Sequence, residues 1–306
     1  MNIFLQATFE GLSLGAVYSL VAIGFVLIFR ATDVLSFAQP AMVVVGAGII
    51  SYFSTQVGIP FLFAFFLGII LTGVLGLILE RTFLRPMVGE PVFSVAVLTI
   101  GIDILLRVVL DNWIGINPKY MGDPFPSYGN FGSFNVAGLT IKYLEVTALI
   151  TALMLIFILS IFFKRSKYGI AMRATSLDQE AALAQGINVG RVFGLVWFIA
   201  GLLAAFAGFF ITGGFNTLTN TSFISALRAL PAVVIGGLDS ITGAVIGSLI
   251  IGLTQAYVAY YQFDIESAYN IKLGNGFSIV APYVIMIEIL IVKPHGLFGT
   301  EEVERV

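Results

Sequence analysis

Few side chains in this chain could do chemistry, and most of them stand alone inside long apolar blocks. Asp103 and Arg107 lie four positions apart in one such block, a spacing that puts both on one helix face and lets them pair. A charge in a bilayer is costly and therefore faces the protein interior or a water-filled cavity. The pair is thus either a self-neutralised structural link or a polar contact for a solute. Arg228 opens an interrupted apolar segment, where it either meets a carboxylate at the mouth of a pathway or snorkels to the interface. Asp239 and Ser240 follow the doublet Gly236-Gly237, where a helix readily unwinds. Ser36, Gln39 and Pro40 make a second polar interruption. Glu288 has no partner nearby in sequence, so it is paired across helices or lies near the inner surface.

These residues do not make an enzyme. There is no cysteine, which excludes disulfides and thiolate metal sites. The one histidine, His295, falls in the tail. An intramembrane protease dyad of Asp103 and Asp239 finds no support in the surrounding motifs, and Asp103, Asp239 and Glu288 are too scattered for a proton or sodium relay. What remains is recognition and passage of a small polar solute.

The elements that must position these residues are membrane helices. Of 306 residues, 58% are hydrophobic and 10% charged, against the roughly quarter charged that a soluble surface needs. Basic residues are too few and scattered for nucleic acid. Apolar blocks of about 20 residues cross the hydrocarbon core as helices, and no period-2 alternation suggests a barrel. Residues 1–10 lack a basic leader and read as the lead-in to a retained first helix. Expected spans are 8–29, 41–53, 61–79, 92–110, 144–163, 192–211 and 277–292. Between 92–110 and 144–163, residues 111–142 are rich in Gly, Pro and aromatics and read as an external loop.

Orientation follows from Lys and Arg, which collect in cytoplasmic loops. Arg30, Arg81, Arg85, the cluster at Lys164 and Lys293 should be inside, which puts the N-terminus and the loop around Asp123 outside and the C-terminus inside. Parity then requires a short half-helix, 227–238, going in and 242–261 coming out. The expectation is an all-α bundle of about eight or nine transmembrane helices forming one domain over 1–306. Two segments, 36–53 around Pro40 and 225–247 around Pro231 and Gly236-Gly237, read as short and broken. Paired discontinuous helices point to a transport pathway, since unwound backbone is tolerated only where it lines a cavity. The expected pathway residues are Ser36, Gln39, Pro40, Asp103, Arg228, Gly236, Gly237, Asp239 and Ser240. The small-residue spacings Gly11/Gly15, Gly243/Gly247 and Ala204/Gly208 read as close helix packing.

One polar stretch has no place in a simple channel. Residues 168–191 read as a cytoplasmic segment around a short helix, with Ser176 as N-cap and Gln179 completing a capping box. Asp178 and Glu180 suit the helix dipole, and Gly186 suits the position after the last turn. Leu177, Ala181 and Ala184 share one face. Such a helix suits a partner's groove better than lipid, which asks for basic and bulky residues.

Glu180-Ala181-Ala182 followed by Gly186 resembles the loop by which ABC-transporter permeases dock on their ATPase. The wider run through Tyr168-Gly169, Arg173-Ala174, Gly186-Ile187-Asn188-Val189 and Arg191-Val192 resembles the LivH-type permeases of branched-chain amino-acid importers. Gly15-Ala16-Val17-Tyr18-Ser19-Leu20, Glu80-Arg81 with Arg85-Pro86, and Ala232-Val233-Val234-Ile235-Gly236-Gly237 extend the likeness, as does Lys293-Pro294-His295-Gly296-Leu297-Phe298-Gly299. The resemblance implies ATPase coupling through Leu177, Glu180, Ala181, Ala182 and Gly186. It implies a second, paralogous permease (or a homodimer), two ABC ATPase subunits, a periplasmic solute-binding protein and an inner-membrane location. No Gly-Lys pair occurs, so the chain has no phosphate-cradling Walker A loop; no cofactor is expected in it, and ATP belongs to partner subunits. The solute implied is a branched-chain or similar amino acid, with urea or short amides as the alternative and a stand-alone transporter or channel behind them. Ser36-Phe37-Ala38-Gln39-Pro40-Ala41 replaces an Asn-Phe-Ala-His-Gly-Glu-like stretch, and Asp239 stands where the family typically has glycine. Both departures fall in the expected pathway.

Overall fold

The structure, a computed structural model, describes residues 2–115, 119–122, 132–136, 139–177, 179–213, 217–219, 222–270, 272–274 and 276–299. Asp178 and Asp123, each given a place by the sequence reading, lie outside the described residues.

The chain is a helical bundle. Its long helices are α1 (Asn2–Thr32), α2 (Ala38–Ser51), α3 (Phe61–Leu79), α4 (Val92–Ile114), α5 (Tyr143–Arg165), α8 (Val189–Thr212) and α11 (Ile241–Tyr269). Shorter ones are α6 (Lys167–Leu177), α7 (Gln179–Ala184), α9 (Ser222–Leu227), α10 (Leu230–Gly236) and α12 (Phe277–Val292). Among the described residues seven stretches are long and apolar enough to span a membrane, and Ser222–Gly236 and Phe277–Val292 are apolar but shorter. The described residues after α4 include some regular structure. α4 runs on to Ile114, and strands β1 (Ser133–Val136) and β2 (Leu139–Lys142) pair antiparallel with Phe134 opposite Ile141.

In lipid, helices gain little from hiding apolar surface from one another, so close packing decides which ones sit at the centre. The spans built on α1, α2 and α8 are 83%, 78% and 72% buried, while those of α4 and α5 are 28% and 11% buried. Outer helices turn large apolar side chains outward, Phe63, Phe93, Phe157 and Ile291 among them. The small-residue spacings do the expected packing. A Cβ at Gly11 or Gly15 would stand 2.9 Å from the backbone of Leu253 or Leu249 on α11. One at Gly46 on α2 would stand 2.6 Å from the Ala205 Cα on α8. At Gly208 it would overlap the Val43 carbonyl.

Two expectations need correction. Residues 36–53 are not a broken segment. Pro40 lies in the first turn of a continuous α2 that runs on through wider turns to Gln56. At the third helical position its missing N–H is one the helix leaves unpaired anyway, so it neither kinks nor ends the helix. Nor does Ser176 cap a helix. It sits inside α6, and its hydroxyl donates to the Arg173 carbonyl at 3.0 Å. The serine spends its hydroxyl on the preceding turn, the local competition that makes such residues weak helix signals.

Candidate functional site

The charged ends sort the bundle. Arg30 closes α1, Arg81 and Arg85 follow α3, Lys164 and Arg165 close α5, and Lys293 follows α12. One cavity brings together Arg30, Lys164, Arg173 and Asp239, and a second brings Arg30 to Leu177, Asp239 and His295. This is the basic end. The other end holds the β hairpin and the N-terminal part of α1: the Gln6 side chain donates to the Thr140 carbonyl at 2.8 Å and accepts from the Thr140 N–H at 3.1 Å. Lys119 and Leu218 make a backbone bridge, and Ser51 donates to the Tyr120 carbonyl at 2.7 Å.

At the basic end α6 and α7 stand out from the bundle. Leu177 is 88% exposed and Leu183 57% exposed, and Glu180, Ala181 and Ala184 are exposed around them, while Ala182 turns inward. Among the described residues Glu180 has no hydrogen bond or ion pair. The chain then turns sharply. The Gly186 N–H donates to the Leu183 carbonyl at 2.9 Å, the Ile187 N–H to the Ala182 carbonyl at 3.0 Å, and Gly186 has φ +81°. This double bond pattern is the Schellman closure, and its left-handed residue is glycine because no Cβ opposes it. Asn188 then caps α8 by accepting the Arg191 N–H at 3.0 Å.

A buried ion pair anchors the same region from beneath. Glu80, 1% exposed, takes Arg85 in a two-pronged contact at 3.0 and 2.9 Å, and Arg85 also donates to the Gly190 carbonyl at 2.8 Å. The turn after α3 is thereby tied to the first turn of α8. Removing either partner has unequal consequences, because the Arg85 side chain is 43% exposed and Glu80 is enclosed. Arg85→Ala strands a buried carboxylate and should cost about 3 kcal/mol or more. Glu80→Ala lets the arginine turn to water and should cost roughly half that. Thermal inactivation in mild detergent checks the order, and the double variant should recover part of the Arg85→Ala loss.

The expected pathway residues fall into three places. Gln39 is fully buried beside Gly24, its amide donating to the Ala200 carbonyl at 3.2 Å, so it joins α1, α2 and α8. Its Oε1 and the Ser36 hydroxyl are buried without a partner. Asp103 and Arg107 pair on α4, and the guanidinium lies 4.1 Å over the Phe223 ring of α9. The pair neutralises itself along the helix, and the ring adds a cation–π contact. Gly236 and Gly243 bring the backbones of α10 and α11 together, and Ser240 caps α11 by accepting the Gly243 N–H at 3.0 Å. Asp239 faces the cavities of the basic end. Arg228 lies in the turn between α9 and α10, beside Tyr18 near the middle of α1, and lines a different cavity. Glu288 is exposed on α12 and takes no part in an ion pair among the described residues.

Two features went unread in the sequence. The tail gives the family likeness but no packing role in the sequence, and in the structure Leu297 and Phe298 donate backbone N–H groups to the Ile235 and Gly236 carbonyls at 2.7 and 3.1 Å. It caps the free end of α10, where Gly237 has φ +101°, and the motif around Gly296 was the available signal. The other is the setting of Arg228. Tyr18 on α1 lies beside its guanidinium and donates to Gln255 of α11 at 2.9 Å.

A polytopic helical bundle with an interrupted helix, a charged knob at one end and no metal-ligating cluster among the described residues has the build of a membrane permease. Residues 7–290 match the family described as branched-chain amino acid transport system, permease component, and the chain belongs to that family. It is 30% identical to the LivH permease protein of the high-affinity branched-chain amino acid transport system of Salmonella typhimurium, over 99% of this chain and 98% of that one. It is 27% identical to BraD, the corresponding permease protein of Pseudomonas aeruginosa, over the same shares. The solved structure of PsaBC from Streptococcus pneumoniae in complex with Fab shares the fold, with a TM-score of 0.52, 16% identity, and 96% and 93% of the two chains covered.

Proposed function

We propose that this chain is a membrane subunit of an ATP-driven importer for branched-chain or similar amino acids. The basic end faces the cytoplasm, as the distribution of Lys and Arg implies, and the hairpin end faces the periplasm across the inner membrane. The observation that carries the reading is the knob of α6 and α7. An exposed Leu177 and Leu183 flanking an unpaired Glu180 on the basic end is a surface made for a partner's groove. The partner is an ATPase subunit, since this chain has no phosphate-binding loop. A second permease completes the pathway and a soluble binding protein delivers solute at the hairpin end.

The mechanism is alternating access. ATP-driven closure of the two ATPases presses on α7, and the Schellman turn passes that motion to α8 through Gly186 and Asn188. The Glu80–Arg85 pair keeps the α3 end in step, and the α10 end moves with the tail that caps it. Purification of the tagged chain from its native membrane tests the reading. An ATPase pair and a second permease of similar length should come with it, and vesicles of the assembly should take up leucine only with ATP. Recovery of the chain alone, with ATP-independent uptake, would replace this reading with a stand-alone transporter.

A further inference from the structure

At the hairpin end a cavity of about 570 Å³ opens between α1, the end of α8 and the turn that leads into α9. Its wall is divided by chemistry. Leu14, Phe210 and Ile279 are among its apolar lining residues, and Thr219, Ser222 and Ser225 bring hydroxyls. Among the described lining residues Arg228 is the one cation, and none is a carboxylate.

The arginine is held in place, but its charge is not met. Tyr18 gives its proton to the Gln255 Oε1, so the lone pairs of its oxygen are left for the guanidinium beside it. Tyr283 of α12 lies within electrostatic reach. None of the ion pairs among the described residues uses Arg228, and its Nε is buried without an acceptor. A snorkelling arginine would carry its head group into water; this one keeps its Nε enclosed beside a cavity lined by both apolar and hydroxyl groups. Buried donors are nearly always satisfied, and a planar guanidinium fork matches a carboxylate.

We propose that Arg228, oriented by Tyr18 and Gln255, receives the carboxylate of the transported solute while the apolar side of the cavity takes its side chain. The solute class is then a monocarboxylate with a compact apolar body, its ammonium group left to hydroxyl oxygens, and a neutral amide or urea has nothing to neutralise the arginine. This deepens the importer reading above and rests on it.

The test uses the whole assembly, with its binding protein, in cells lacking other leucine uptake. Maximal uptake rate of labelled leucine is compared for wild type, Arg228→Lys, Arg228→Gln and Arg228→Met. Lysine keeps the charge and loses the fork, so it should retain about a third of the rate, while glutamine and methionine fall below about a tenth at equal yield of the assembly. A packing role would spare methionine, which fills similar volume. Undiminished uptake in Arg228→Gln, or an equal fall in all three variants, overturns the carboxylate role while leaving the importer reading standing. A wild-type assembly that carries urea or acetamide and not leucine overturns both.

Discussion

Charge reversal at Glu180 is expected to cut ATP-driven leucine uptake by about 30-fold, taking a like-charge contact in a docking groove to cost about 2 kcal/mol. The folded chain should barely register the change. Glu180 is exposed and makes no ion pair among the described residues, and exposed substitutions of this kind stay within about 0.5 kcal/mol. A lysine near the start of α7 opposes the helix dipole, which adds a penalty of similar size. The deficit should therefore appear in coupling, as a normal amount of inserted protein that copurifies with less ATPase. Leu177→Ser should act in the same direction, because a leucine that is 88% exposed gives the fold almost nothing. Undiminished uptake in Glu180→Lys at normal expression would remove the docking role from α7.

The second large effect is expected from Gly208→Leu. α2 and α8 approach so closely that a Cβ at Gly208 overlaps the Val43 carbonyl and also meets the Ala47 Cβ at 3.3 Å. The obstacle is largely backbone, which cannot rotate away as a side chain can. Overpacking a well-fitted core costs about 1–3 kcal/mol when side chains can yield, and here the upper part of that range applies. About tenfold less monodisperse protein should survive moderate heating in detergent. Gly101→Leu is the control, since that position on α4 is exposed and a Cβ there meets nothing within 4 Å. Equal losses in both variants would show that leucine in a membrane helix is harmful by itself, and that the α2–α8 contact is not what the glycine protects.

Both predictions begin from residues that stood out in the sequence, but for different reasons. Glu180 was legible because a polar run between apolar blocks must lie outside the hydrocarbon, and because Gly186 marks a helix end by local rules alone. The turn formed as those rules require. The expected cap at Ser176 did not, because its hydroxyl bonds to the preceding turn. Pro40 misled for a related reason. Proline disrupts a helix interior and is harmless in a first turn, and apolar length by itself does not show which position it will occupy.

The sequence alone determined that this chain is a bundle of membrane helices, which of its ends is basic, and that a short helix carrying an exposed Glu180 lies between apolar blocks. Those outcomes follow from composition, block length and local capping, each set by residues close together in the chain. The tertiary structure decided which polar residues meet. Arg228 finds Tyr18 and Gln255, more than 200 positions and 27 positions away in the chain, only because α1 and α11 pack through Gly11, Gly15 and Gly252. Gln39 ties three helices together beside Gly24, and Arg85 reaches Gly190 across the α3–α8 contact. Such meetings depend on the register of one helix against another. In lipid, close backbone packing sets that register, and a single chain read in order carries little trace of it.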